Sequence, residues 1–153
     1  MEIKTIVPTK ETDFDNSINL LNLIFSKYPN NQNYNSKFAF ERTAKHDPLI
    51  VEVRENNQTI GFCLCYQRYP NYYHIWDLGV EESFRGRGVA SKIYDTVEEY
   101  AKNKKYLGIS INTFNRHKDN IRLLIKRGYE ICGLETEGKF TNNPKINLKF
   151  TFK

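Results

Sequence analysis

The chain is short of several residues that mark particular protein classes. Its 153 residues include three cysteines, and a small odd number of thiols does not provide a disulfide framework. Cys63 and Cys65 lie two apart in an alternating apolar run, which predicts that they share one face of a strand, whereas Cys132 stands alone. No CxxC or Cys/His spacing indicates zinc, so we expect reduced structural thiols and no metal site.

Long apolar runs are also missing. No stretch approaches the roughly 18 residues that a membrane span requires, and the first residues, Met1 to Lys4, lack the pattern of an export signal. We therefore expect a cytoplasmic protein that makes no membrane contact. Hydrophobic residues still make up 39% of the chain and aromatic residues 14%, which excludes a disordered protein. The length predicts a single domain over residues 1–153.

Acidic residues are scarce in one third of the chain. Residues 85–127 hold eleven basic and four acidic residues, a balance of +7, while the remainder holds 12 basic and 14 acidic residues. The net charge of +5 therefore comes from one segment. A local excess of this kind predicts an anionic partner, with nucleic acid and a phosphorylated cofactor as the two candidates.

Apolar periodicity predicts an α/β (α+β) fold. Period-two and period-3.6 patterns follow one another in the order β-α-α-β-β-β-α-β-α-β-β, which gives about seven strands in a mixed central sheet and about four helices on its faces. The third helix is predicted from about Gly88 to Lys102. Gly128 lies where a left-handed residue would end the fourth helix.

The segment from Asp77 to Ser91 carries the most chemical information. A strand ends, a short turn follows, and a helix begins directly after Arg85-Gly86-Arg87-Gly88. Glycines let the backbone approach a ligand closely, and the first turn of a helix offers unpaired N–H groups. Together they predict a site for a pyrophosphate. The segment lacks the third glycine of a dinucleotide site and the Gly-Lys-Ser/Thr of a Walker loop.

This segment resembles motif A of the GNAT superfamily of N-acetyltransferases, Arg/Gln-x-x-Gly-x-Gly/Ala, which reads Arg85-x-x-Gly88-x-Ala90 here. A second stretch, residues 120–129, resembles the family's Ala-Ile-x-Leu-Tyr-x-Lys-x-Gly-Phe. The predicted order of elements matches the family over nearly the whole chain. The resemblance implies a GNAT-like fold and acetyl-coenzyme A as cofactor.

The resemblance also implies which residues hold the cofactor. Backbone N–H groups of residues 85–91 would bind its pyrophosphate, and an open strand edge would pair with its pantetheine. An asparagine after the next strand commonly contacts the cofactor, and both Asn115 and Asn120 are candidates. The full set implied is Leu78, Gly79, Val80, Arg85, Gly86, Arg87, Gly88, Val89, Ala90, Ser91, Asn115 and Asn120.

Catalysis is less clearly marked in the sequence. Leu124 stands where many family members carry a tyrosine that protonates the departing thiolate, so the general acid is open. His74 is the first candidate for the base, because an imidazole titrates near neutrality and family bases lie on this strand. Asp77 and Glu81 are alternatives. Alternation predicts that Asp77 points to the opposite face of the strand unless a bulge redirects it.

The acceptor site has a few candidates. Tyr72 and Trp76 share the predicted face of His74, together with Leu78 and Val80, and Tyr34 lies in the loop of residues 28–40 where the family closes over its acceptor. Small amines and protein amines remain open, with a monomer or homodimer as the assembly.

Three functions are compatible with these features. The first is acetyl transfer to a primary amine of a small molecule or protein, by direct attack in a ternary complex. The second is a catalytically silent domain that binds coenzyme A as a sensor. A basic nucleic-acid-binding module is the third, and it is disfavoured because the basic residues follow a cofactor motif and match no groove-reading element.

Overall fold

A computed structural model describes residues 1–28, 34–136 and 142–153. It confirms the predicted mixed α/β architecture. The helices are α1 (Asp15–Phe25), α2 (Ser36–Thr43), α3 (Val89–Asn103) and α4 (Lys118–Lys126). The strands are β1 (Glu2–Ile6), β2 (Leu49–Glu55), β3 (Gln58–Tyr66), β4 (Tyr72–Val80), β5 (Gly108–Phe114), β6 (Glu130–Glu135) and β7 (Lys145–Thr151). Within the described ranges, no helix has the length and apolarity needed to cross a membrane.

The seven strands form one sheet in the order β1-β2-β3-β4-β5-β7-β6. Neighbouring strands are antiparallel except at the centre, where β4 and β5 run parallel. Parallel neighbours need a crossover connection from one end of the sheet to the other, and α3 provides it between β4 and β5. The parallel pair divides the sheet into two antiparallel halves.

Each face of the sheet buries its own apolar cluster. On one face, α1 and α2 cover a cluster that contains Phe14, Leu21 and Phe62. On the opposite face, α3 and α4 cover a larger cluster that contains Ile93 and Leu124. These two clusters account for the apolar stripes of the helices, and they fix which side chains of β4 face α1 and α2.

A bulge interrupts β4 at its centre. Leu64 of β3 pairs with Asp77, while the next residue of β3 pairs with Ile75, so Trp76 is an extra residue in the ladder. Because a bulge shifts the alternation by one, Leu78 and Val80 pack on the α3 side of the sheet. The prediction that these two residues share the face of His74 and Trp76 is therefore wrong.

The same bulge brings Asp77 to the α1–α2 side. Gly79, two residues further on, follows the same alternation, and a Cβ there would meet Phe62 and Ile24 of the α1–α2 cluster. Trp76 also packs against that cluster. The condition stated for Asp77 is thus met, and a carboxyl group stands on the face of the sheet that α1 and α2 cover.

The strands β4 and β5 separate beyond the bulge. Their pairing runs from Tyr72 with Gly108 to Ile75 with Ile111 and then ends, although β4 continues to Val80 and β5 to Phe114. Within the described ranges, the last residues of β4 therefore have no strand partner on the side of β5. Apart from the Val80 carbonyl oxygen, which accepts from Arg85, this edge can pair with an extended ligand. This is the splayed sheet that the resemblance implies.

Candidate active site

The turn between β4 and α3 forms an open backbone cradle. Gly86 and Gly88 have φ values of +77° and +79°, in the left-handed region that glycine favours. No heavy atom lies within 4 Å of a Cβ built at either glycine. The first intrahelical bond of α3 runs from Lys92 N to Gly88 O, so the three preceding N–H groups have no acceptor within the helix. These features fit an oxyanion such as a pyrophosphate.

The two arginines of the motif stand beside this cradle. Arg85 donates from Nε to the carbonyl oxygen of Val80 at 3.1 Å, which ties the turn to the end of β4. The Arg87 guanidinium lies 3.7 Å from the Glu55 carboxylate and 5.1 Å from the centre of the Phe84 ring. Both arginine side chains are exposed, so they add positive charge next to unpaired N–H groups.

The two candidate asparagines have partners inside the chain. Asn120 accepts a hydrogen bond at 2.7 Å from the Tyr94 hydroxyl on α3. Asn115 donates to the carbonyl oxygen of Asn142 at 3.1 Å and accepts from Lys118 at 2.6 Å. Asn115 precedes α4 directly after β5, so it remains the better placed of the two for a ligand between the splayed strands.

His74 is buried in the sheet. Its side chain is 1% exposed, and Nδ1 lies 2.9 Å from the Ser110 hydroxyl on β5. The rings of Tyr66 and Tyr69 meet it edge-on at 5.8 and 5.7 Å. Burial, followed by the positive charges of Arg68, Arg42 and Lys145, lowers the pKa of His74 to about 3. The imidazole is therefore neutral at all physiological pH values.

The low pKa of His74 has a consequence for stability. Between about pH 3 and 6.5 the unfolded chain binds a proton that folded His74 does not, so the free energy of unfolding falls as pH drops through this window. We expect His74→Phe to weaken this acid destabilisation, with melting temperatures at pH 4 and 7 as the measurement. An unchanged difference between those two temperatures would contradict the burial of a neutral imidazole.

The pKa of Asp77 is shifted in the opposite direction from that of His74. Burial raises the pKa of this carboxyl to about 7, and the nearby charges of Arg42 and Lys145 only partly oppose the shift. The described residues provide no hydrogen-bond donor to its carboxylate. A partly buried carboxyl without donors, beside an open strand edge, is suited to accept a proton from a ligand.

Glu81, the third catalytic candidate, has local partners. It accepts hydrogen bonds from the backbone N–H of Ser83 at 3.1 Å and from the Ser83 hydroxyl, so it caps the short 3-10 turn of residues 82–84. Leu124, which stands at the position of the family's tyrosine, is fully buried in the α3–α4 cluster and has no proton to donate.

Aromatic rings from three elements meet next to Asp77. Trp76 of β4 lies 5.3 Å from Tyr34, 6.1 Å from Phe38 of α2 and 6.2 Å from Tyr66 of β3, measured between ring centres. We call these four rings the aromatic wall. The side-chain amide of Asn22 on α1 donates a hydrogen bond to the carbonyl oxygen of Tyr34 at 3.0 Å. Tyr34 and Trp76 thus lie in contact, and their role in binding an acceptor stays a prediction.

Tyr72 does not join the aromatic wall. It begins β4, opposite Gly108, and its hydroxyl lies 2.9 Å from that of Thr151 on β7. Part of the predicted acceptor loop, residues 29–33, lies outside the described residues. Tyr34, its next residue, packs face to face with Phe38 at 5.4 Å.

Sequence reasoning missed Arg42. Its guanidinium lies 4.7 Å from the centre of the Trp76 ring, and its Nε and one terminal nitrogen donate to the Tyr66 hydroxyl at 3.4 and 3.3 Å. Arg42 follows Phe38 by four residues on α2, a spacing that places both on one helix face. That spacing was the available signal, but nothing in the sequence shows that this face meets β4.

His117 was also missed as a site residue. It lies 6.0 Å from Phe25 and 5.4 Å from Tyr28, both edge-on, at the junction between the end of α1 and the start of α4. Burial, with the charges of Arg116 and Arg85, lowers its pKa to about 4. This contact connects α1 to the turn that follows β5.

A family model and solved structures match the chain. The model of the acetyltransferase (GNAT) family covers residues 17–129. An aminoglycoside 6'-N-acetyltransferase complexed with coenzyme A is 17% identical, with a TM-score of 0.76 over 99% of this chain and 97% of that one. A ribosomal-protein-alanine N-acetyltransferase from Brucella melitensis is 13% identical, with a TM-score of 0.79 over 99% and 100%.

A third structure is bound to acetyl-coenzyme A. It comes from Bacillus anthracis, is assigned as a streptothricin acetyltransferase, and is 25% identical, with a TM-score of 0.63. The match covers 69% of this chain and 63% of that one, which is less than two thirds of its length. The comparison with curated proteins found no significant match.

The family match spans both sequence motifs and most of the splayed sheet. The open cradle at Gly86 and Gly88 and the unpaired edge of β4 suit a long cofactor that ends in phosphates. The chain therefore belongs to the GNAT family of acetyltransferases, and it is an N-acetyltransferase whose cofactor is acetyl-coenzyme A.

Proposed function

We propose that the protein transfers the acetyl group to a primary amine by direct attack within a ternary complex, with Asp77 as the general base. The observation that carries this proposal is the bulge in β4, which turns Asp77 toward the face that α1 and α2 cover, beside the edge that β5 leaves open. Acetyl-coenzyme A supplies the activated acetyl group as a thioester. The residues of this chain would bind that cofactor and remove the proton from the amine.

Asp77 fits the requirement of the reaction better than His74. An amine attacks only when neutral, and a base that removes its proton works best with a pKa near the operating pH. The pKa of Asp77 is raised to about 7, whereas that of His74 is lowered to about 3 and its ring is buried. His74 supports β4 by its contact with Ser110, which makes it a positioning residue in this proposal.

The backbone would hold the cofactor at two places, the glycine cradle before α3 and the open edge of β4. The N–H groups at residues 86–91 would bind the pyrophosphate, with Arg85 and Arg87 beside it. The free edge of residues 78–80 would pair with the pantetheine amides. Leu124 cannot donate a proton, so the thiolate would leave without a side-chain acid, which the modest basicity of a thiolate, with a thiol pKa of about 8.5, allows.

Thiol release from acetyl-coenzyme A in the presence of a panel of primary amines tests this function. We expect release above background hydrolysis with at least one amine. Double-reciprocal plots should intersect when both substrates are varied, because direct attack needs both bound at once. Parallel lines would contradict direct attack. Coenzyme A binding with no release for any amine would instead favour a silent sensor.

Enzymes of this fold are named for different acceptors, as two of the similar structures illustrate. The 6'-N-acetyltransferase acts on aminoglycosides, and the Brucella melitensis protein is named for a ribosomal-protein alanine. The acceptor of this chain depends on the residues that surround Asp77. The charge of those residues therefore bears on the choice of acceptor.

A further inference from the structure

The surface around Asp77 is apolar and partly open. The aromatic wall of Tyr34, Phe38, Tyr66 and Trp76 covers one side of it. The Phe38 side of the wall reaches solvent, since that residue is 41% exposed. Tyr66 is buried and Tyr34 and Trp76 are partly buried, so the wall is a partly exposed apolar surface beside Asp77, on which a flat apolar group of a ligand can stack.

Cations without carboxylate partners surround the same recess. Arg42, Arg68 and Lys145 all act electrostatically on His74, and Arg42 and Lys145 also act on Asp77. None of the three forms an ion pair with any residue in the described ranges.

Some cations elsewhere in the described residues do have acidic partners. Arg127, for example, lies 2.6 Å from Glu98 and 2.5 Å from Asp95. Arg87 and Arg122 also have acidic partners within 4 Å. Within the described residues, no carboxylate within ion-pair distance offsets the charge of Arg42, Arg68 or Lys145.

Arg42 is the best placed of the three to bind an anion. Its guanidinium lies over the ring of Trp76, the residue that precedes Asp77, and it is partly buried. A guanidinium binds a carboxylate through paired N–H donors in a fixed plane. Only its Nε and one terminal nitrogen are engaged, both with the Tyr66 hydroxyl. Donors therefore remain for a ligand.

We infer that the acceptor is an amine that also carries a carboxylate and an aromatic ring, as an aromatic α-amino acid does. This inference rests on the proposed function. The amine would face Asp77, the carboxylate would bind Arg42, and the ring would stack on the aromatic wall.

A polycationic acceptor fits this recess poorly. Asp77 raises the pKa of the neighbouring Tyr34, while Arg42 lowers it, so one negative and one positive group act on this part of the site. A second and third ammonium group would approach Arg42 and Lys145 without a carboxylate to bind. Such an acceptor needs an acidic cleft, which the described residues do not form here.

Four acceptors separate these contributions. Phenylalanine carries all three groups, phenylalanine amide lacks the carboxylate charge, phenethylamine lacks the carboxyl carbon, and alanine lacks the ring. After correction for the neutral fraction of each amine, we expect kcat/KM for phenylalanine to exceed that for each of the others by about ten-fold or more. A loss of this size is typical when one charge-assisted hydrogen bond is removed. Spermidine should be the poorest substrate.

The variant Arg42→Gln isolates the role of the guanidinium. We expect it to lower kcat/KM for phenylalanine by about 10- to 100-fold and that for phenethylamine clearly less, with partial recovery in Arg42→Lys. Lys4→Gln removes one charge on the exposed strand β1 and serves as the matched control.

Two results would overturn the inference while leaving the proposed function intact. One is phenethylamine or spermidine acetylated at least as well as phenylalanine. The other is an equal loss for all acceptors in Arg42→Gln. Absence of transfer to every amine, by contrast, would contradict the proposed function itself.

Discussion

Replacing Asp77 by asparagine is expected to lower the rate of acetyl transfer by about 100-fold or more at neutral pH. The substitution keeps the size of the side chain but removes a carboxyl group beside the splay whose pKa, about 7, suits proton removal from an amine. Loss of a general base typically costs 10²- to 10⁴-fold. Steady-state rates at saturating acetyl-coenzyme A measure the effect, and coenzyme A affinity should stay unchanged.

The same variant should be more stable than the parent protein. Because burial raises the pKa of Asp77 from its ordinary value of 3.8, the folded chain binds more protons than the unfolded chain between about pH 3.8 and 7. The contribution of this group to stability therefore falls as pH rises through that window. Asparagine removes the cost of an ionised buried carboxylate, and we expect a gain of about 1–3 kcal/mol at pH 8.

Inactivity together with increased stability is a combination that misfolding does not produce. His74→Phe is the control variant, since it alters another buried residue of β4 but leaves Asp77 in place. A rate for Asp77→Asn within a few-fold of the parent rate would remove Asp77 from the mechanism. So would a loss of activity that accompanies a loss of folded protein.

Replacing Gly88 by aspartate is expected to weaken coenzyme A binding by about 100-fold or more. The change places a carboxylate at the helix N-terminus where the pyrophosphate would bind, and like charges repel strongly at such distances. An added side chain meets no protein atom within 4 Å of its Cβ, so the fold has room for it. Calorimetric titration with coenzyme A measures the loss.

Gly88→Ala separates charge from backbone strain. Both variants force a side chain onto a φ of +79°, but alanine adds no charge. We expect the alanine variant to bind coenzyme A more tightly than the aspartate variant, with similar melting temperatures for the two. Native affinity in Gly88→Asp would refute the assignment of the cradle as the pyrophosphate site.

The fold was largely predictable because its signals are local. The apolar stripes of α3 and α4 and the glycines at their ends follow from periodicity and from backbone freedom. Gly88 indeed precedes α3, and Gly128, after α4, has a φ of +96°. The concentration of positive charge in residues 85–127 also indicated a phosphorylated ligand, and the family assignment agrees with that interpretation.

The candidate base was harder to predict because its position depends on one bulge. Simple alternation assigned Asp77 to the wrong face, and no residue of Ile75-Trp76-Asp77 marks the extra position in the ladder. The pKa values were equally hidden, since burial separates those of His74 and Asp77 in opposite directions from their ordinary values. Arg42 was missed because its role arises from packing between α2 and β4, which are distant in sequence.

The pH dependence of kcat/KM is the most direct test of Asp77 as the base. For the parent protein, with an acceptor whose amine titrates well above the range measured, we predict a rise governed by a group with a pKa near 7 and a plateau above it. His74→Phe should retain this limb, and Asp77→Asn should lose it. A limb that persists in Asp77→Asn, or that disappears in His74→Phe, would contradict the assignment.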